Sequence, residues 1–161
     1  VTEVTLDEAG PIHALELWDA AGGDAIAAAL GHALPAAGRS AGIEGRQVLR
    51  QQPLVWLLDG AGFDPAAIAL ALGPHGALTA IGGGLMRARL SGPGWRAVLM
   101  HDGVFDAEQA AFGPGCTAAT IIAHVAVTLH VIAEGQCEVL VPASYAEPLV
   151  AGWRRVAAGL A

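Results

Sequence analysis

An α+β fold, a single domain with a mixed or antiparallel sheet and packed helices, is what this sequence predicts, and three observations carry it. The length of 161 residues is that of one ordinary domain and suffices to bury a core without a metal or disulfide staple. Strand and helix patterns interleave irregularly, with hairpin signals between strands, which fits α+β better than a doubly wound parallel sheet. Residues 86–100 then run through strand, turn and helix without a gap. Met86, Ala88 and Leu90 alternate with Arg87 and Arg89, the two-residue period of a half-buried strand. Ser91-Gly92-Pro93-Gly94 breaks it, and Trp95, Val98 and Leu99 fall at i, i+3 and i+4 on one face of a short helix.

The other elements follow in order. Residues 1–23 have scattered acids, one proline and a glycine pair, and Ile12, Leu15, Leu17 and Trp18 keep no clear period, so the segment reads as an arm. Asp24 is placed to cap a helix to residue 33, with Ile26, Leu30 and Leu34 on its buried edge and Pro35 as its stop. Residues 37–42 read as a flexible connection. Residues 1–45 are therefore expected to be an N-terminal arm and helix that dock on partners, and residues 46–161 the α+β domain proper. Two strands flank Gln51-Gln52-Pro53, and Asp64-Pro65 opens a helix to about residue 72. Residues 78–81 form a strand, and Gly82-Gly83-Gly84 permits a bulge or close backbone approach. A short helix is expected at 106–110. Residues 116–132 carry the longest β signal, read as one strand, and residues 133–136 turn it into a partner at 137–141. Ser144 and Glu147 have capping-box spacing ahead of a helix whose Leu149, Trp153, Val156 and Leu160 share a face, with Pro148 in its first turn.

Composition narrows the function classes. The chain is 54% hydrophobic and 14% charged, against a usual charged share of about 25%. That is expected of a subunit covered by partners, although alanine and glycine enrichment produces the same figures. The net charge is −7, with eight arginines and no lysine. No broad cationic face is available for nucleic acid, and Schiff-base, P-loop and lysine-base chemistry are excluded. Cys116 and Cys137 are too far apart for a CxxC pair, and no cleavable signal segment precedes them, so a cytoplasmic location is expected. Residues 117–133 lack Asp, Glu and Arg but fall short of the ~20 residues of a membrane span, and their β-branched content reads as buried strand.

Gly92-Pro93-Gly94-Trp95-Arg96-Ala97 matches the form of a dinucleotide fingerprint. A strand bearing two arginines and a two-turn helix are poor context for it, and a stiff structural corner explains the same residues. His124 and His130 lie on one face of the expected strand, ~20 Å apart at about 3.3 Å per residue, too far to share an ion. His13, His32, His75 and His101 form no ligand pattern, so the histidines read as isolated polar or interface groups. Ser40, Ser91 and Ser144 lack a nucleophile elbow. Arg87 and Arg89 are the best polar pair in the chain, suited to a ligand carboxylate or a partner's acids, or else a solvated strand face. Trp56, Trp95 and Trp153 sit in apolar patterns and belong to the core. Trp18, in an acidic and irregular segment, is placed to dock on another surface. The candidate partner contacts are thus Trp18, Arg87, Arg89, His124 and His130.

Trp56-Leu57-Leu58, the Leu90-Ser91-Gly92-Pro93 turn, Phe112-Gly113-Pro114-Gly115 with the run from Thr120 to His130, and Val141-Pro142-Ala143-Ser144-Tyr145 with its terminal helix stand in a telling order. From residue 54 onward the chain resembles the gamma subunit of heterotetrameric sarcosine oxidase. The resemblance implies a fold like the folate-binding domain of the aminomethyltransferases (glycine cleavage T-protein). It implies alpha, beta and delta partner subunits that hold FAD, FMN, NAD, zinc and tetrahydrofolate, in a complex that oxidatively demethylates sarcosine or a related N-methyl amine. It also implies that this chain has no cofactor and no catalytic residue. Two departures bear on the subfamily: the aminomethyltransferase aspartate is missing around Gly115-Cys116-Thr117-Ala118-Ala119-Thr120, and His101-Asp102-Gly103 replaces an expected glycine-cysteine segment. A stand-alone folate-binding or one-carbon-transfer protein of the same fold is the alternative.

Overall fold

In the computed structural model, which describes residues 1–160, the chain order is β1 (Glu3–Glu8), β2 (Ile12–Leu17), α1 (Ala20–Leu30), β3 (Ser40–Ile43), β4 (Arg46–Gln52), β5 (Val55–Asp59), α2 (Pro65–Leu72), β6 (Gly76–Ala80), β7 (Leu85–Ser91), α3 (Trp95–Met100), β8 (Thr117–Ile122), β9 (Val125–Ala133), β10 (Gln136–Pro142) and α4 (Ala143–Gly159). The class is α+β, as expected, with two five-stranded antiparallel sheets. Two compact units hold them: Val1–Ala9 with Gly84–Ala161, and Gly10–Gly83. Among the described residues no helix is long and apolar enough to cross a membrane.

The first unit has strand order β1-β7-β10-β9-β8. One face of this sheet presents Ala88, Leu90, Cys137, Val139, Leu129 and Val131, all buried, to Trp95, Leu99, Val150 and Trp153 of α3 and α4. Alternation puts the polar residues on the opposite face. Trp95, Val98 and Leu99 are buried as their spacing predicts. The second unit has order β3-β4-β5-β2-β6, and Leu15, Leu17, Val48, Trp56 and Leu58 pack with Ile26, Leu30, Ile68 and Leu72 of α1 and α2.

Several sequence expectations need correction. Residues 1–23 do not form an irregular arm: β1 is an edge strand paired with β7, and β2 lies between β5 and β6. Ile12, Leu15 and Leu17 are all buried, with Glu16 exposed and His13 and Ala14 intermediate, so burial along the strand keeps no simple two-residue period. The boundary expected between residues 45 and 46 falls in the β3–β4 hairpin, inside the second unit, and the connection expected at 37–42 already contains the start of β3. Helix α1 begins earlier than expected, capped by Asp19, whose Oδ1 accepts from the Gly22 N–H at 3.1 Å. It ends at left-handed Gly31, before Pro35 acts. The hydrogen bond from His75, with that from Gly22, holds the Asp19 carboxyl below its usual range. Residues 106–110 form turns in place of a helix. The 116–132 strand is a hairpin: Ala123 and His124 take φ of 47° and 67°, the backbone of a two-residue primed turn that ordinarily announces itself with Asn-Gly. Helix α4 starts at Ala143 with no side-chain cap, so Ser144 and Glu147 lie inside it and form no capping box.

The β4–β5 pair and α2 lie where the sequence places them. Pro65 opens α2, and Asp64 Oδ1 accepts from Ala66 N–H and Ala67 N–H, both at 3.1 Å. Replacing Asp64 with Ala leaves these donors to water and is expected to lower stability by about 1 kcal/mol in urea denaturation; an unchanged midpoint would show that the cap contributes nothing.

Candidate functional site

The polar residues of the first unit's sheet fall into one row. Strand register sets Thr5 opposite Arg89, Arg89 opposite Glu138, Glu138 opposite His130 and His130 opposite Thr117. Glu138 is the hub. Its Oε2 accepts from Arg87 at 2.6 Å, and its Oε1 accepts from Arg89 Nε at 3.2 Å and from Arg89 Nη2 at 2.5 Å. The other terminal nitrogen of Arg87 donates to the Ala9 carbonyl at 2.8 Å. Burial alone would raise the Glu138 pKa, but the hydrogen bond from Arg89 and the charge and hydrogen bond of Arg87 outweigh it, and the carboxyl is held below its usual range.

The two arginines therefore do grip a carboxylate, and it belongs to this chain. Arg87 is half-buried, while Arg89 keeps a side chain 45% exposed. Sequence reasoning missed Glu138; the signal was a single acid at the centre of the apolar β10 run, which demands a cationic neighbour. His130 is buried in β9, three strands from Thr5, and His124 lies in the exposed β8–β9 turn. The two histidines thus do not share a strand face. Trp18 is elsewhere, just after β2, 61% exposed, with its backbone N–H donating to the His75 carbonyl at 2.8 Å. No group of three His, Cys, Asp or Glu suited to a metal ion occurs among the described residues.

The corner at 91–94 uses its amides internally. The Gly94 N–H donates to Thr2 Oγ1 at 3.0 Å. Gly92 has φ of 102°, and a Cβ there would stand 2.4 Å from the Val1 carbonyl oxygen. Only glycine admits β1 so closely, and the space a pyrophosphate would need is filled. Arg96, stacked 4.4 Å over Trp95, donates to the carbonyls of Ala107 and Phe112 and so ties down the loop before β8. Cys137 is fully buried, and desolvation pushes its thiol up to about 12, which removes the thiolate that nucleophilic chemistry needs.

No protein-family model and no curated protein matches the chain. Solved structures do. A chain of heterotetrameric sarcosine oxidase from Corynebacterium sp. U-96, solved in complex with pyrrole 2-carboxylate, superposes with a TM-score of 0.84 at 25% identity, over 94% of this chain and 81% of that one. The resemblance to sarcosine oxidase holds in three dimensions. The glycine cleavage system aminomethyltransferase T from Bartonella henselae matches at a TM-score of 0.66 and 19% identity, over 94% of this chain and 45% of that one. That second likeness is one of fold.

Glu138→Gln keeps the shape and removes the charge facing two arginines. The expected loss is about 1–3 kcal/mol at pH 7. Because the folded carboxyl titrates below its usual value of 4.5, its contribution is complete above that pH and fades as pH falls through the folded pKa. Denaturation curves at descending pH should therefore converge for wild type and variant; a gap independent of pH would contradict the ion cluster.

Proposed function

We propose that this chain is a small non-catalytic subunit, gamma-like, of a heterotetrameric sarcosine oxidase-like flavoenzyme complex. In this reading the complex oxidatively demethylates sarcosine or a related N-methyl amine. Alpha, beta and delta subunits carry FAD, FMN, NAD and zinc, and tetrahydrofolate accepts the one-carbon unit in another subunit. The observation that carries the reading is the coverage of the two structural likenesses: the match spans most of a sarcosine oxidase chain and less than half of the aminomethyltransferase.

The local chemistry supports a structural role. The arginine pair serves an internal carboxylate, the Gly94 amide serves Thr2, and the Cys137 thiol is held protonated. Within residues 1–45, Trp18 is the large apolar group suited to docking; exposed His124 and the free edge of Arg89 are further contacts. The assembly is placed in the cytoplasm.

Co-expression with alpha, beta and delta subunits from the same genome tests the reading. A tagged copy of this chain is expected to retain the flavin absorbance of its partners through affinity and size-exclusion steps in constant ratio. A chain that elutes alone as a monomer, with no flavoprotein attached, would contradict it.

A further inference from the structure

Strained backbone, exposed apolar side chains and a glycine that packing does not require meet at one corner of the first unit. Asp102, Ala123 and His124 take φ of 60°, 47° and 67°; Leu54 is the fourth non-glycine residue with positive φ among the described residues. Such conformations are sterically costly and persist where the surroundings impose them. Here the Ala123 N–H donates to the Asp102 carbonyl at 2.9 Å, and Gly103 bridges to Ile122. The loop after α3 and the β8–β9 turn are thereby tied into one fixed wall.

Two half-open depressions share Asp102 and Ala123. One, of about 310 Å³, is lined also by Val125, Tyr145, Leu149 and Gly152; the other, of about 360 Å³, by Val104 and Ile121. Val104 is 86% exposed, Ile121 52% and Tyr145 54%. Single exposed apolar residues are ordinary, but a contiguous set beside a groove marks an interaction surface.

Gly152 points to an occupant. It lies in the interior of α4, where glycine destabilises a helix relative to alanine. A Cβ there would meet nothing nearer than an Arg155 guanidinium nitrogen at 3.8 Å, so packing within the chain does not demand glycine. The missing side chain keeps the groove open. Arg155 stands at the same depression, exposed, with no acidic partner among the described residues, while His101 Nε2 and Asp102 Oδ2 lie 3.4 Å apart.

We infer that this groove docks a protein segment of a partner subunit, one that lays apolar side chains along Ala123, Tyr145 and Leu149 and presents a carboxylate to Arg155. Joined, half-open depressions suit an extended segment, and Arg155, a cation with no acidic partner among the described residues in a chain of net charge −7, sets the sign of its charge. The inference rests on the assembly reading above and adds where the partner sits.

The test uses the full chain, co-expressed with alpha, beta and delta subunits from the same genome, in wild-type, Gly152→Leu and Arg155→Glu forms. Gly152→Leu fills the groove while favouring the helix, so the isolated variant should keep or raise its Tm, yet its affinity for the partners should fall by about tenfold or more. Arg155→Glu, a surface change, should weaken association similarly and more steeply at low salt. Wild type and both variants assembling with equal affinity would overturn the groove and leave the assembly reading standing. A wild-type chain that joins none of these subunits would overturn both. Self-association by wild type that Gly152→Leu abolishes would make the occupant a second copy and overturn the partner assignment.

Discussion

Glu138 sits on β10 between the cations of β7, Arg87 and Arg89, and much of the first unit depends on that contact. A slip of one residue between these strands would turn both arginines toward Trp95 and Trp153 and carry Ala88 and Leu90 out of the core. The ion cluster penalises that slip on one face as hydrophobic burial does on the other. Both helices inherit the register, because β7 runs into α3 through the glycine corner and β10 runs directly into α4. Strand β1 joins the same arrangement, with Arg87 holding the Ala9 carbonyl and Arg154 of α4 donating to the Val4 carbonyl at 3.0 Å.

This use of charge bears on function. Two arginines on one strand face would make a good anion site if their donors were free. Here the buried carboxylate takes the strongest of them, and leaving Glu138 unpaired for the sake of a ligand would strand a desolvated charge. The glycine corner is committed in the same way, to Thr2 and the approach of Val1. The dinucleotide-like form of residues 92–97 and the arginine pair are thus explained by the requirements of the fold.

What the sequence revealed was local. The alternation of 85–91 and the Asp64-Pro65 helix start depend on residues within a few positions, and each stands where its signal lies; the turn expected at Gln51-Gln52-Pro53 falls slightly later, at Pro53-Leu54, with Gln51 and Gln52 in β4. What it hid was set by distant partners. β2 has no readable period, and its strand geometry is set by pairing with β5 and β6 far along the chain. The Ala123-His124 turn lacks glycine or asparagine, and the bond from Ala123 to Asp102, the Gly103–Ile122 bridge and the pairing of β8 with β9 hold it in place. The sequence reading puts the cap of α1 at Asp24; the cap is Asp19, which also takes the hydrogen bond from His75, 56 positions away. Glu138 escaped notice because its meaning lies in Arg87 and Arg89, about 50 residues upstream.

Whether the arginine pair serves the fold alone is tested most directly by calorimetric titration of the purified chain with a reduced folate. No saturable heat is expected at micromolar concentrations, for wild type and Arg89→Gln alike. Saturable micromolar binding by wild type, lost in an Arg89→Gln variant that remains folded, would contradict it and favour a stand-alone folate-binding protein.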